Sequence, residues 1–216
     1  MQWVVTHLPD WPVFLAFVSG ALLLNLTPGV DMAFVTASAL ARGRRAGMYA
    51  ALGIFAGCMG HILFAVFGLS ALLVASETAF TLVKYAGAGY LLYLAILALR
   101  AKDGVKAEAA AVPGSGWHVF RKGLLVNLLN PKVGMFFLAF LPQFTSAAKG
   151  SLAGQILVLG LYFNVQGLVV NALVATASAA ASKTIAASAA LRRWIRWLTA
   201  TLFSSLAVRL ALTSRE

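Results

Sequence analysis

The sequence predicts an all-α membrane protein of six transmembrane helices. They form two inverted three-helix repeats whose leading helices, the first and fourth of the chain, are broken. Three observations predict this fold. The composition is 61% hydrophobic and 11% charged, with a mean hydropathy of +0.88, whereas a soluble domain is roughly half apolar and about a quarter charged. Six apolar runs follow one another, each near or above the ~20 residues that cross a bilayer. Two of these runs carry an internal proline, at Thr27-Pro28 and at Asn130-Pro131.

The first run covers residues 11–26, breaks at Thr27-Pro28-Gly29 and resumes over 31–40. The second, 46–74, is long enough to tilt or protrude. After the polar turn Ser76-Glu77-Thr78 comes a third run, 80–99. Residues 101–118 mix charges with alanine, glycine, proline and serine, the composition of a linker. The fourth run, 120–144, holds the second break. The fifth and sixth cover 152–181 and 191–212. The expected organisation is a first repeat over 1–100, a cytoplasmic linker over 101–118 and a second repeat over 119–216. Three spans per half is an odd number, so the halves enter the membrane in opposite directions. The flanks of the breaks match loosely, LLLNLTPG against LLVNLLNPK.

Twelve of the 17 basic residues lie on one side of this arrangement: Arg42, Arg44 and Arg45, five between Arg100 and Lys122, and four between Lys183 and Arg196. The positive-inside rule makes that side cytoplasmic and predicts both termini to be periplasmic. The net charge of +11 is thereby explained by topology, and nucleic acid is not an expected partner. A single cysteine, Cys58, excludes an intrachain disulfide and the cysteine pair of a thiol oxidoreductase. Residues 1–10 carry no lysine or arginine, so no cleaved signal peptide is expected.

A broken helix in lipid frees backbone carbonyls, which survive only inside protein or beside water. Thr27 or Asn130 is expected to cap the half-helix that follows it, with proline pre-set at its first position. The N-terminus of such a half-helix suits a carboxylate, and the carbonyl end before the break suits an ammonium. An amino-acid zwitterion matches that pairing. Asp31 is the only acid well inside an apolar run. Such an acid is a functional candidate by default, and an ion pair with Lys132 is the structural alternative. His61 reads as a packed, hydrogen-bonded side chain sooner than a proton relay. Asn164, Gln166 and Asn171 are as suited to joining helices as to binding substrate. Gly53, Gly57 and Gly60 fall on or near one helical face and let helices approach closely.

NLTPGVDMAFVTASALARGRRAGMYAALGIFAG, KYAGAGYLLYLA and FRKGLLVNLLNPKVGMFFLAFLPQF together resemble the signatures of the lysine-exporter (LysE/RhtB) family, over about residues 13–212. The resemblance implies a six-span, multi-pass protein of the bacterial inner membrane. It implies proton-coupled export of amino acids or derivatives of the threonine, homoserine or homoserine lactone type, and with Asp31 the only acid inside an apolar run the expected substrate is neutral. Asn25, Pro28, Gly29, Asp31, Asn127, Asn130, Pro131 and Lys132 occupy motif positions. Val30 departs from the family's usual Pro-Gly-Pro-Asp, which loosens the turn but leaves Gly29 and Asp31 in place.

The expected substrate-binding residues are Asn25, Thr27, Pro28, Gly29, Asn127, Asn130, Pro131 and Lys132, with Asp31 for proton coupling. The expected partners are an amino-acid substrate, protons and the lipid bilayer, and a homodimer is compatible. No enzyme activity, cofactor or metal site is expected. The alternatives are a metal-ion exporter of a related group, which wants clustered ligands where this chain scatters Asp31, Cys58 and His61, and a non-catalytic membrane subunit, which leaves two matched polar breaks unexplained. A membrane-embedded enzyme would need a paired nucleophile and base, and none is placed for it.

Overall fold

Two prolines set the architecture. In the computed structural model, residues 7–69 and 115–180 are described throughout, together with isolated helical positions between 78 and 100 and between 197 and 208. The expected third and sixth spans, and residues 101–114 of the linker, lie largely outside the described residues. Among the described residues every regular element is helical.

Helix α1, Trp11–Leu26, is apolar on all sides, with Pro12 in its first turn where a missing N–H costs nothing. It ends because Pro28 disfavours the helical conformation in the residue before it, and Thr27 is extended, with φ −68° and ψ 119°. Helix α2, Val30–Arg42, starts after the extended Gly29. Val30 is therefore the first helical residue, the position best suited to proline, and the helix forms there with valine. Gly43, at φ +80°, supplies the left-handed residue that turns α2 directly into α3, Arg44–Phe64. A π-helical turn, Ala65–Leu69, continues α3.

The second half repeats the device. Helix α4, Gly116–Leu128, begins inside the stretch read as linker. Asn130 is extended ahead of Pro131, with φ −77° and ψ 107°. The short helix α5, Pro131–Met135, then runs through a π turn and a 3₁₀ turn to Phe144. The chain bends by 51° between α1 and α2 and by 46° across the second break. Helix α6, Leu152–Ala180, and the span Arg44–Gly68 are each long and apolar enough to cross a membrane, and each bent pair qualifies if counted as one span.

Glycine holds α3 against α4. A Cβ on Gly53 would collide with the Phe120 carbonyl, one on Gly57 with the Leu124 carbonyl, and one on Gly123 with the Ala50 carbonyl. Backbones this close gain dispersion contact that larger side chains would forbid, and in lipid such packing replaces the hydrophobic effect as the glue between helices.

The apolar core falls into two parts. One is aromatic, where Phe17 of α1, Phe136, Phe137, Phe140 and Phe144 of the second half and Phe163 of α6 pack together. The Phe136 and Phe163 rings stack with centroids 4.3 Å apart. The other joins Phe34 and Val35 of α2, Ala50, Ala51 and Ile54 of α3, Val119 of α4 and Ala175 of α6. Both breaks lie between these clusters in the order of every element that crosses them. At the far end of α1, Asp10 forms an ion pair with Lys149. This pair places the start of α1 and the loop before α6 at the same end of the molecule.

Candidate functional site

The two breaks meet. Lys132, the second residue of α5, donates from Nζ to the carbonyl oxygens of Leu24 (2.9 Å) and Thr27 (2.7 Å) at the end of α1. Asn127, in the last turn of α4, donates from Nδ2 to Asp31 Oδ2 at 2.8 Å. Each half thus sends a charged side chain to the end of the other half's leading helix. Elementary electrostatics favours both placements. A cation sits at the C-terminal end of α1, which carries partial negative charge, and the carboxylate sits in the first turn of α2, where N–H groups point outward.

The other polar groups freed by the breaks are partly accounted for as well. Asn130 caps α5, its Oδ1 accepting from the Lys132 backbone N–H at 3.0 Å with Pro131 next to it, as expected from the sequence. Thr27 does not act in the expected way. Its hydroxyl donates back to the Leu23 carbonyl at 2.6 Å, and Gly29, not Thr27, precedes α2. The extended Thr27 and Gly29 carry the chain past the point where a Thr27 hydroxyl could reach the α2 N–H groups. His61 Nε2 lies 3.0 Å from the Asn127 carbonyl oxygen and so donates to it, and its ring stacks on Phe137.

No ion pair joins Asp31 and Lys132, although each lies near enough to feel the other's charge. Asn130 also lies beside Asp31. Asp31 Oδ1 and Asn127 Oδ1 are buried and accept no hydrogen bond. A buried carboxylate oxygen and a buried amide oxygen with nothing to accept are costly, more so in a water-poor layer.

Two small pockets, each of about 30 Å³, flank Asp31. One is lined by Asn25, Thr27, Gly29, Asn130 and Lys132 among others, and the second by Asn127, Ile54, Phe55, Cys58 and Leu168. Asp31, Asn25, Phe163 and Asn171 belong to both. Of the residues singled out from the sequence, Pro28 and Pro131 are exposed and line neither pocket. Their effect on the site runs through the backbone they break.

Helix α6 supplies what the sequence left undecided. Asn164 ties α6 to α3, donating to the Phe55 carbonyl at 3.1 Å and to Met59 Sδ at 3.3 Å. Asn25 donates to Gln166 Oε1 at 3.2 Å, and Gln166 donates to the Val18 carbonyl at 3.4 Å, tying α6 to α1. Asn171 makes neither link, and its side chain faces the pockets. Phe163 was not anticipated as a wall residue, and an isolated phenylalanine in an apolar run carries no signal of it.

Apolar helices broken at two places, with the breaks joined by charged and amide side chains, are the make-up of a membrane transport protein. The chain belongs to the LysE type translocator family, whose family model matches residues 22–214. It is 33% identical over 178 residues to the homoserine/homoserine lactone efflux protein of Salmonella typhimurium, covering 82% of this chain and 83% of that protein. Identity is 34% over 131 residues to the leucine efflux protein of Salmonella choleraesuis, covering 59% and 61%. It is also 34% over 152 residues to an uncharacterized membrane protein of Vibrio cholerae, covering 70% and 74%. No solved structure matches the chain.

Proposed function

We propose that this translocator is a secondary-active exporter of neutral amino acids or their derivatives, exchanging substrate for protons across the bacterial inner membrane. The observation that carries the reading is the meeting of the two breaks, with Lys132 on the end of α1 and Asn127 on Asp31. Substrate binds where they meet, among Asn25, Thr27, Gly29, Asn127, Asn130 and Lys132, and Pro28 and Pro131 keep the backbone broken there. Asp31 carries the proton. The pockets have room for only a few waters, so an amino acid enters as the half-helices part. The glycine contact of α3 with α4 is the surface on which one half rocks against the other.

The architecture proposed is six spans in two inverted three-helix repeats, with both termini periplasmic. The two bends of similar angle, each after an extended residue ahead of proline, support it. The relatives named for homoserine and leucine efflux support neutral amino acids as the substrate class.

Reconstitution tests the reading. Proteoliposomes loaded with unlabelled leucine, threonine or homoserine should accumulate the labelled compound by counterflow, and an imposed pH gradient should drive net movement. Protein that is folded yet exchanges none of the three, nor any other neutral amino acid, overturns the proposal.

A further inference from the structure

We infer that Lys132 and Asp31 are the two poles of the substrate site, the Lys132 ammonium taking the substrate's carboxylate and Asp31 Oδ1, with Asn127 Oδ1, taking its ammonium. The inference rests on the exporter reading above and sharpens it, because it assigns the ends of the molecule in the reverse sense from a simple helix-end argument. The carbonyl end of α1, which suits an ammonium, is already filled by Lys132 itself.

Three features carry the assignment. An ammonium has three N–H donors. Two of those on Lys132 go to Leu24 and Thr27, and the third has no partner among the described residues. Asp31 spends one oxygen on Asn127 and has the other buried without a donor, as does Asn127 itself. The cation and the carboxylate line one pocket yet do not pair. A structural ion pair would close that gap. Here Lys132 is anchored by the end of α1 and Asp31 by the Asn127 side chain, and among the described residues each keeps a vacant hydrogen-bonding position. A zwitterion satisfies both at once, its carboxylate accepting from Lys132 and its ammonium donating to Asp31 and Asn127.

The remaining walls sort the side chain. Ile54, Phe55, Phe163 and Leu168 line the pocket on the Asn127 side, and neither pocket holds another charged residue. A substrate with a charged side chain would bring a third charge with no counterpart, so a neutral, largely apolar side chain fits. The same geometry explains exchange with protons. Asp31 holds either the substrate's ammonium or a proton, and the two compete for one oxygen.

Competition against labelled leucine, bound to the purified full-length protein in detergent, tests the assignment on the wild type alone. Leucinamide keeps the ammonium and lacks the carboxylate, and N-acetyl-leucine the reverse. Each should compete at least about tenfold more weakly than leucine, the loss expected for one unmade charged contact. Lysine should compete more weakly as well. In Lys132→Gln the gap between leucine and leucinamide should collapse while that for N-acetyl-leucine persists, and Asp31→Asn should give the opposite pattern. Leucinamide matching leucine on the wild type overturns the inference, as does a Lys132→Gln protein that still prefers leucine to leucinamide. Either result leaves the exporter reading standing. That reading fails separately, if no neutral amino acid exchanges.

Discussion

Lys132 and Thr27 belong to different broken helices, yet Nζ of the first lies 2.7 Å from the carbonyl oxygen of the second. With the matching bond to Leu24, this contact supplies donors at the end of α1, where Pro28 has no N–H to give. It also means that one break cannot open without disturbing the other.

Removing that cation should destabilise the fold as well as the site. Lys132→Met removes two hydrogen bonds from the end of α1, at a cost of about 1–3 kcal/mol. The detergent-purified variant should melt several degrees below the wild type, and counterflow should be lost. Lys132→Arg, which can still donate to both carbonyls, should recover most of the melting temperature. Equal melting of Lys132→Met and wild type would show that water satisfies the α1 end instead.

Asp31→Asn separates charge from shape. The new amide oxygen can still accept from Asn127, so the variant should reach the membrane in normal amounts. Movement of substrate driven by a pH gradient should fall by at least about tenfold, the loss of one charged contact. A pH-sensitive dye inside proteoliposomes reads proton movement directly, and substrate-linked proton flux that survives the substitution removes Asp31 from the coupling step.

The glycine seam gives a graded series. Gly53→Val drives a side chain into the Phe120 carbonyl and Gly57→Val into that of Leu124, where only a shift of the helices relieves the clash. Each should cost about 1–3 kcal/mol or more and lower the amount of folded protein in the membrane. Gly68→Ala, whose nearest neighbour is the Phe64 ring at 3.5 Å, should be tolerated. Fluorescence-detected size exclusion of the variants ranks them, and a Gly53→Val protein as monodisperse as Gly68→Ala would count against the seam.

Much of this was legible in the chain because its causes are local. A residue before proline is pushed out of the helix wherever it occurs, so Thr27 and Asn130 marked both bends, and glycine every third or fourth residue marked the face of α3 that meets α4. Partner choice was not local. The only acid and the nearby cation inside apolar runs invite pairing, but the carbonyl end of α1 competes for the lysine, and sequence does not say how close that end lies. The Thr27 cap failed for a similar reason. One residue of extra extension at Gly29 moves the start of α2 beyond its hydroxyl. Asn171 and Phe163 reach the site from α6, far along the chain, and neither residue type in an apolar run distinguishes a pocket wall from packing.

Topology provides the last test. The ion pair of Asp10 with Lys149 puts those residues at one end of the molecule, and in the topology proposed that end is periplasmic, with Arg42, Arg44, Arg45, Arg121 and Lys122 at the cytoplasmic side. Single cysteines can be placed in a Cys58→Ser background, itself expected to be mild because Cys58 is small and makes no disulfide. In intact cells, Asp10→Cys and Lys149→Cys should react with a membrane-impermeant maleimide, whereas Arg42→Cys and Lys122→Cys should react only after the membrane is opened. Two inverted halves require this split, because α1 then runs inward from the periplasm while α4 runs outward from the cytoplasm, and their breaks approach the same depth from opposite sides. Labelling of Asp10→Cys and Lys122→Cys from the same face would leave α1 and α4 parallel and remove the inverted repeat.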